Sequence, residues 1–148
     1  YRCRYGHKLA AEKSLNENTL IIEDDAIPLV KNWYDICLSI INDGYLKEYD
    51  FCLLHLRQAI PESRFFSPAG YTLVDDVAIQ NIIKPIKWGL GSLAYIVNEK
   101  GKENLLNFCY DGLPMDLWLV NTQNYIWLKD PDLFAHERIH RSAVENAT

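Results

Sequence analysis

The sequence predicts an α/β fold, and three observations carry that prediction. Apolar runs of strand length occur at Thr19–Ile22, Phe51–Leu56, Leu93–Val97 and Tyr125–Leu128. Between the first two runs, Leu29 to Asp43 carries apolar residues at Leu29, Val30, Trp33, Tyr34, Ile36, Cys37, Ile40 and Ile41, a helical stripe wide enough to face a sheet. The composition, 49% hydrophobic and 24% charged over 148 residues, excludes a disordered chain and suits one domain with a single core.

The elements follow in order. Gly6 to Glu17 reads as a first helix with Leu9, Ala10 and Leu15 inward, and Asn16 to Asn18 as a polar break. Thr19 to Ile22 reads as a buried strand, and the Leu29–Asp43 helix stops at Gly44. Phe51 to Leu56 is the second buried strand, so the pair predicts a parallel βαβ unit. Residues 57–87 hold Pro61, Pro68, Gly70 and Pro85, with strand-like pieces at Tyr71–Val74 and Val77–Ile83. A long irregular loop of this kind is often a binding element. After the Leu93–Val97 strand, Asn98 is placed to cap a helix over Glu99–Cys109. Pro114 suits the first turn of a helix reaching Asn121. Tyr125 to Leu128 is a last strand, and residues 130–148 read as an extended tail of the single 1–148 domain.

Charge and cysteine usage narrow the function. A net charge of −5 argues against a dedicated nucleic-acid binder. No apolar run approaches the roughly 18 residues of a membrane span. Cys3, Cys37, Cys52 and Cys109 are widely spaced with no C-x-x-C pair, which reads as reduced thiols of a cytoplasmic protein rather than a zinc site.

The residues with chemical potential are few. Glu23-Asp24-Asp25 follows a buried strand at its carboxyl end, where open parallel sheets bind ligands. On an extended chain Glu23 and Asp25 project the same way, forming a hard oxygen site for Mg²⁺ or Mn²⁺ carrying a diphosphate. The alternative is a solvated acidic turn before Pro28. Asp116 falls in a helix's first turn, either as a dipole-stabilised acid or as a general base on a hydroxyl. Trp88-Gly89-Leu90-Gly91-Ser92 leads two glycines into a strand, which permits close backbone approach to a ligand. Asp75-Asp76 reads as a solvated turn.

Taken in order, these segments resemble glycosyltransferase family 25. Cys3-Arg4-Tyr5-Gly6-His7 resembles the family's C-x-x-S-H, with Gly6 in place of the serine. Leu20 to Ala26 is similar to its hydrophobic-E-D-D-A segment, and Gly91–Val97 with Gly101 and Leu105-Leu106 to its A-Y-L-I-S stretch. Pro114-Met115-Asp116 is similar to P-[IV]-D, and Pro131-Asp132-Leu133 with Ser142 to the closing segment. Five modest motifs in one order cover most of the chain. Family members carry further strand–helix units ahead of C-x-x-S-H, so the resemblance implies an N-terminally truncated member.

The resemblance implies a GT-A-like, Rossmann-like nucleotide-sugar transferase domain. It implies a UDP-sugar donor, UDP-galactose in particular, with inversion at the anomeric carbon and a glycan or glycolipid acceptor such as lipooligosaccharide. Asp25, helped by Glu23 or Asp24, would then hold Mn²⁺ or Mg²⁺ on the diphosphate, and Asp116 would take the acceptor proton. His7 and Gly91 would contact substrate, and Tyr71, Trp88 and Tyr95 would stack on sugar rings, with core packing the alternative for His7 and Tyr95. Such an enzyme would work peripherally on the cytoplasmic face of a bacterial membrane. Two rivals remain at this level. One is a catalytically inactive remnant acting as a binding module. The other is a receiver-like phospho-switch, whose acids Leu20–Asp25 mimic but whose phosphoacceptor aspartate is replaced by His55.

Overall fold

The computed structural model describes residues 2–14, 16–58, 81–83, 89–107, 112–130 and 132–136. Tyr71, Asp75, Asp76, Trp88, Cys109 and the segment 137–148 lie outside the described residues, as does most of the 57–87 loop. The elements are α1 (Arg2–Lys13), β1 (Thr19–Ile22), β2 (Ala26–Pro28), α2 (Trp33–Asn42), α3 (Tyr45–Glu48), β3 (Phe51–Leu53) and β4 (Arg57–Gln58). They continue with β5 (Asn81–Ile83), β6 (Gly89–Leu90), β7 (Ala94–Val97), α4 (Glu99–Leu106), α5 (Met115–Thr122), β8 (Tyr125–Asp130) and β9 (Phe134–His136).

The main sheet has five strands in the order β1-β7-β3-β8-β5. Side chains alternate across it as a pleat requires. Cys52, Leu54, Ala94, Ile96, Ile126 and Leu128 face a core completed by Ile36, Cys37 and Ile40 of α2. Phe51, Leu53, Tyr95, Val97 and Trp127 face the other core, completed by Ala11 of α1, Leu105 of α4 and Met115, Trp118 and Leu119 of α5. Helices thus cover both faces, and the α/β class is the class observed.

Strand direction sets where a site can lie. β7 is antiparallel to both β1 and β3, and β8 is parallel to β3. The carboxyl ends of β1, β3 and β8 therefore share one edge with the amino end of β7. This corrects the simple βαβ reading. β1 and β3 do run the same way, but β7 lies between them, and all four of its residues are buried. Apolar runs identify a buried strand; they carry no information about which strand is its neighbour.

Other boundaries differ for local reasons. α1 begins at Arg2 rather than Gly6; Ala10 packs inward as expected, beside the buried His7 and Ala11, while Leu9 faces solvent and Leu15 lies outside the described residues. α2 begins at Trp33 rather than Leu29 because the Leu29 N–H donates to Leu133 O at 2.8 Å, tying that residue to the chain's last segment. Residues 132–136 are not a free tail. β9 pairs antiparallel with β2, and Leu133 and Phe134 are buried. Asn98 does cap α4, accepting from Gly101 N–H at 2.8 Å. Gly44 does stop α2, at φ +84°, a left-handed conformation that favours glycine. Lys102, a buried cation on α4, donates to Ser14 Oγ at 3.2 Å and to Asn16 O, which secures α4 to the end of α1.

Cys37 and Cys52 are free thiols buried in the α2-side core. Burial pushes the Cys37 thiol from the ordinary 9.0 up to about 12, and burial also raises Cys52. Because the folded state keeps these protons, their contribution to stability is complete below the unfolded thiol value of 9.0 and is lost as pH rises from there toward 12. In the native protein at pH 8 both are expected to resist an alkylating reagent, and both should react in denaturant. Peptide mapping after labelling checks this; native labelling of Cys52 would contradict its burial.

Candidate functional site

The edge that gathers the carboxyl ends of β1, β3 and β8 also carries Glu23, Asp24 and Asp25, which follow β1. β1 ends at Ile22 and the chain turns at once. Ala26 N–H donates back to Glu23 O at 3.1 Å, and Asp24 and Asp25 occupy the corner of that turn. The premise that Glu23 and Asp25 alternate along an extended chain is therefore corrected: β1 ends at Ile22, and the chain turns at Asp24-Asp25 to double back into β2. Asp24 is exposed and Asp25 half-buried.

Glu23 points into a polar quartet. His7 Nε2 lies 2.9 Å from Glu23 Oε2, and His7 Nδ1 lies 2.6 Å from the Tyr95 hydroxyl. Ser92 Oγ–H donates to the same Glu23 oxygen at 3.2 Å. The His7 and Tyr95 rings stack at 5.4 Å with 14° between their planes. Tyr95 is fully buried, and Phe51 packs against it at 5.5 Å. His7 is 4% exposed and Glu23 is 20% exposed, so the quartet runs from the core to the surface and ends on a carboxylate. A buried imidazole is tolerated here because both ring nitrogens have partners.

Three segments far apart in sequence supply this quartet: His7 from α1, Glu23 from the end of β1, and Ser92 and Tyr95 from the start of β7. Sequence reasoning singled out His7 and Glu23 but missed Ser92, and it linked Tyr95 only to packing or sugar stacking. Full burial of Tyr95 removes the stacking role. The available signal was the position of Ser92, two residues before a buried strand that begins beside the acids.

Gly91 is buried at the same edge, but a Cβ there would meet His55 O at 2.9 Å and Leu56 Cδ1 at 2.8 Å. Its need for glycine comes from protein packing on the end of β3. Gly6 is the opposite case: a Cβ would meet nothing within 4 Å, so packing does not force the departure from serine. Asp116 is half-buried in the first turn of α5, where Leu117 N–H donates to its Oδ1 at 2.9 Å. α5 runs away from the acidic edge, since Asn124, just beyond it, accepts from Asp50 and Phe51 N–H at the amino end of β3. α5 packs against β6, directly ahead of Gly91. Asp116 is not a member of the quartet.

The donor set can be matched to a hard cation. Among the described residues, no group of three or more His, Cys, Asp and Glu side chains is gathered for a metal. A closed cage is not what Mg²⁺ or Mn²⁺ on a diphosphate uses: one or two carboxylates suffice, with water and phosphate oxygens completing the shell. Asp24 and Asp25 on an exposed turn fit that requirement, with Glu23 turned inward behind them. Among the described residues, no helix is long and apolar enough to cross a membrane. Comparison with models of known protein families, with curated proteins and with solved structures gives no match.

Proposed function

We propose that this chain is a glycosyltransferase family 25-like domain of GT-A type, moving a hexose, galactose in particular, from a UDP-sugar to a glycan or glycolipid hydroxyl. The observation that carries the reading is the convergence of three of the resembling segments. His7 of the first, Glu23 of the second, and Ser92 and Tyr95 of the third meet in one hydrogen-bonded quartet at the sheet edge where α/β folds bind ligands. Segments 16 and 88 residues from His7 have no local reason to meet there. The receiver-like rival is less well supported, because β7 runs antiparallel between the acid-bearing strand and β3, where a receiver-like fold keeps its central strands parallel.

In this reading Asp25, with Asp24 beside it, holds the divalent cation, which when bound offsets charge on the departing diphosphate. Glu23 holds the turn from behind. Asp116 accepts the proton of the acceptor hydroxyl as that oxygen forms its bond to the anomeric carbon and the carbon–UDP bond breaks on the opposite side. The domain reaches a glycolipid acceptor peripherally, from the cytoplasmic face of the membrane.

The test is release of UDP from UDP-galactose with Mn²⁺ and a saccharide acceptor. Asp116→Asn is expected to lower turnover by about 100-fold or more, within the usual range for a general base, while leaving the dissociation constant for UDP unchanged. Turnover equal to that of the unaltered protein would remove Asp116 as the base.

A further inference from the structure

We propose that Tyr95 and Ser92 are positioning residues that act with His7 as a one-way hydrogen-bond chain to fix Glu23 and, through it, the turn carrying Asp24 and Asp25. The chemistry of each group dictates the direction. An ionised carboxylate only accepts, so the ring nitrogen 2.9 Å from Glu23 Oε2 carries the hydrogen: His7 Nε2–H donates. In the neutral ring Nδ1 is then an acceptor, and the Tyr95 hydroxyl 2.6 Å away donates to it. Ser92 Oγ–H adds a second donor to the same carboxylate oxygen. With the His7 ring neutral, every proton in the sequence Tyr95, His7, Glu23 points toward the surface. The anchor is rigid because Tyr95 lies on a central, fully buried strand.

The chain fixes more than one side chain. Glu23 also closes the turn through its backbone, donating to Leu93 O and accepting from Ala26 N–H. A Glu23 side chain held at two points leaves the intervening Asp24 and Asp25 little freedom, which prepares the turn for a ligand before binding. This role deepens the UDP-sugar reading and rests on it for the identity of the ligand, while the chain itself is tested without any ligand.

The experiment is ¹⁵N NMR of the whole chain, unaltered and as Tyr95→Phe, Ser92→Ala and Ser92→Thr. The unaltered protein is expected to show His7 protonated on Nε2 alone. Tyr95→Phe should shift the Nδ1 resonance and speed exchange of the Ala26 amide by about 3- to 10-fold, the effect of one hydrogen bond, with the Ile96 amide unchanged. Ser92→Ala should speed Ala26 exchange similarly, and Ser92→Thr should restore it. A proton on Nδ1 in the unaltered protein, or Ala26 exchange indifferent to both deletions, overturns the proposal. A parallel titration with UDP and Mn²⁺ judges the ligand separately. Failure to bind there defeats the functional reading, and the tautomer and exchange rates still decide the chain.

Discussion

Asp25→Ala is expected to abolish Mn²⁺-dependent UDP release from UDP-galactose, a loss of at least about 100-fold for removal of a group that holds the charge-neutralising ion. The reasoning rests on the turn. Glu23 points inward to His7 and Ser92, and Asp24 and Asp25 occupy the corner of the turn. Asp25 is the half-buried one and the better held, whereas Asp24 is exposed, so Asp24→Ala should lose less. The next residue, Ala26, pairs with His136, which gives a fold control: circular dichroism and the urea midpoint should change little. Full activity in Asp25→Ala would remove the metal role from this residue. A chelator added to the unaltered protein should reproduce the loss, and Mn²⁺ in excess should reverse it.

Gly101→Ala is expected to destabilise the fold, against the usual sign for a helix. Replacing glycine by alanine in a helix ordinarily gains up to about 1 kcal/mol. At Gly101 the new methyl would collide with Val97 Cγ2 and sit 2.9 Å from Asp50 O and 3.0 Å from Phe51 Cε2. Val97 can rotate only within a filled core, and the Asp50 carbonyl is fixed by the Asn98 N–H that donates to it at 3.0 Å. Overpacking of this kind costs about 1–3 kcal/mol, which exceeds the helical gain. Gly101→Val adds two more carbons to the same contact and should lower stability further. Gly6→Ala is the opposing control, because that position is in α1 and opens onto free space. It should raise stability by about 0.5–1 kcal/mol. Urea denaturation of the three variants reads both signs, and a stabilised Gly101→Ala would mean that α4 does not lie this close to the sheet.

Local chemistry made much of this fold legible. Thr19–Ile22, Leu93–Val97 and Tyr125–Leu128 announced strands because each is a short apolar run, and Asn98 and Gly44 announced a cap and a stop because their side chains suit those backbone positions. What stayed hidden depends on distant partners. Leu133 and Phe134 read as part of a polar tail, since only the pairing of β9 with β2 and the contact to Leu54 give them a core to enter. The insertion of β7 between β1 and β3 has no local signal at all. The site divides in the same way. Glu23 to Asp25 stood out by charge and by following a strand. Ser92 did not, because a serine beside two glycines looks like loop chemistry until Glu23 is seen 3.2 Å away. His7 was noticed, but its position inside α1 depends on burial that only Tyr95 and Glu23 make tolerable.

If the acidic turn held by this quartet receives a cation-borne nucleoside diphosphate sugar, calorimetric titration of the protein with UDP, with and without Mn²⁺, will show it. Saturable binding of one UDP per chain is expected, requiring Mn²⁺ and lost in Asp25→Ala. No binding under either condition, or binding equally tight without the metal and in the variant, would contradict it.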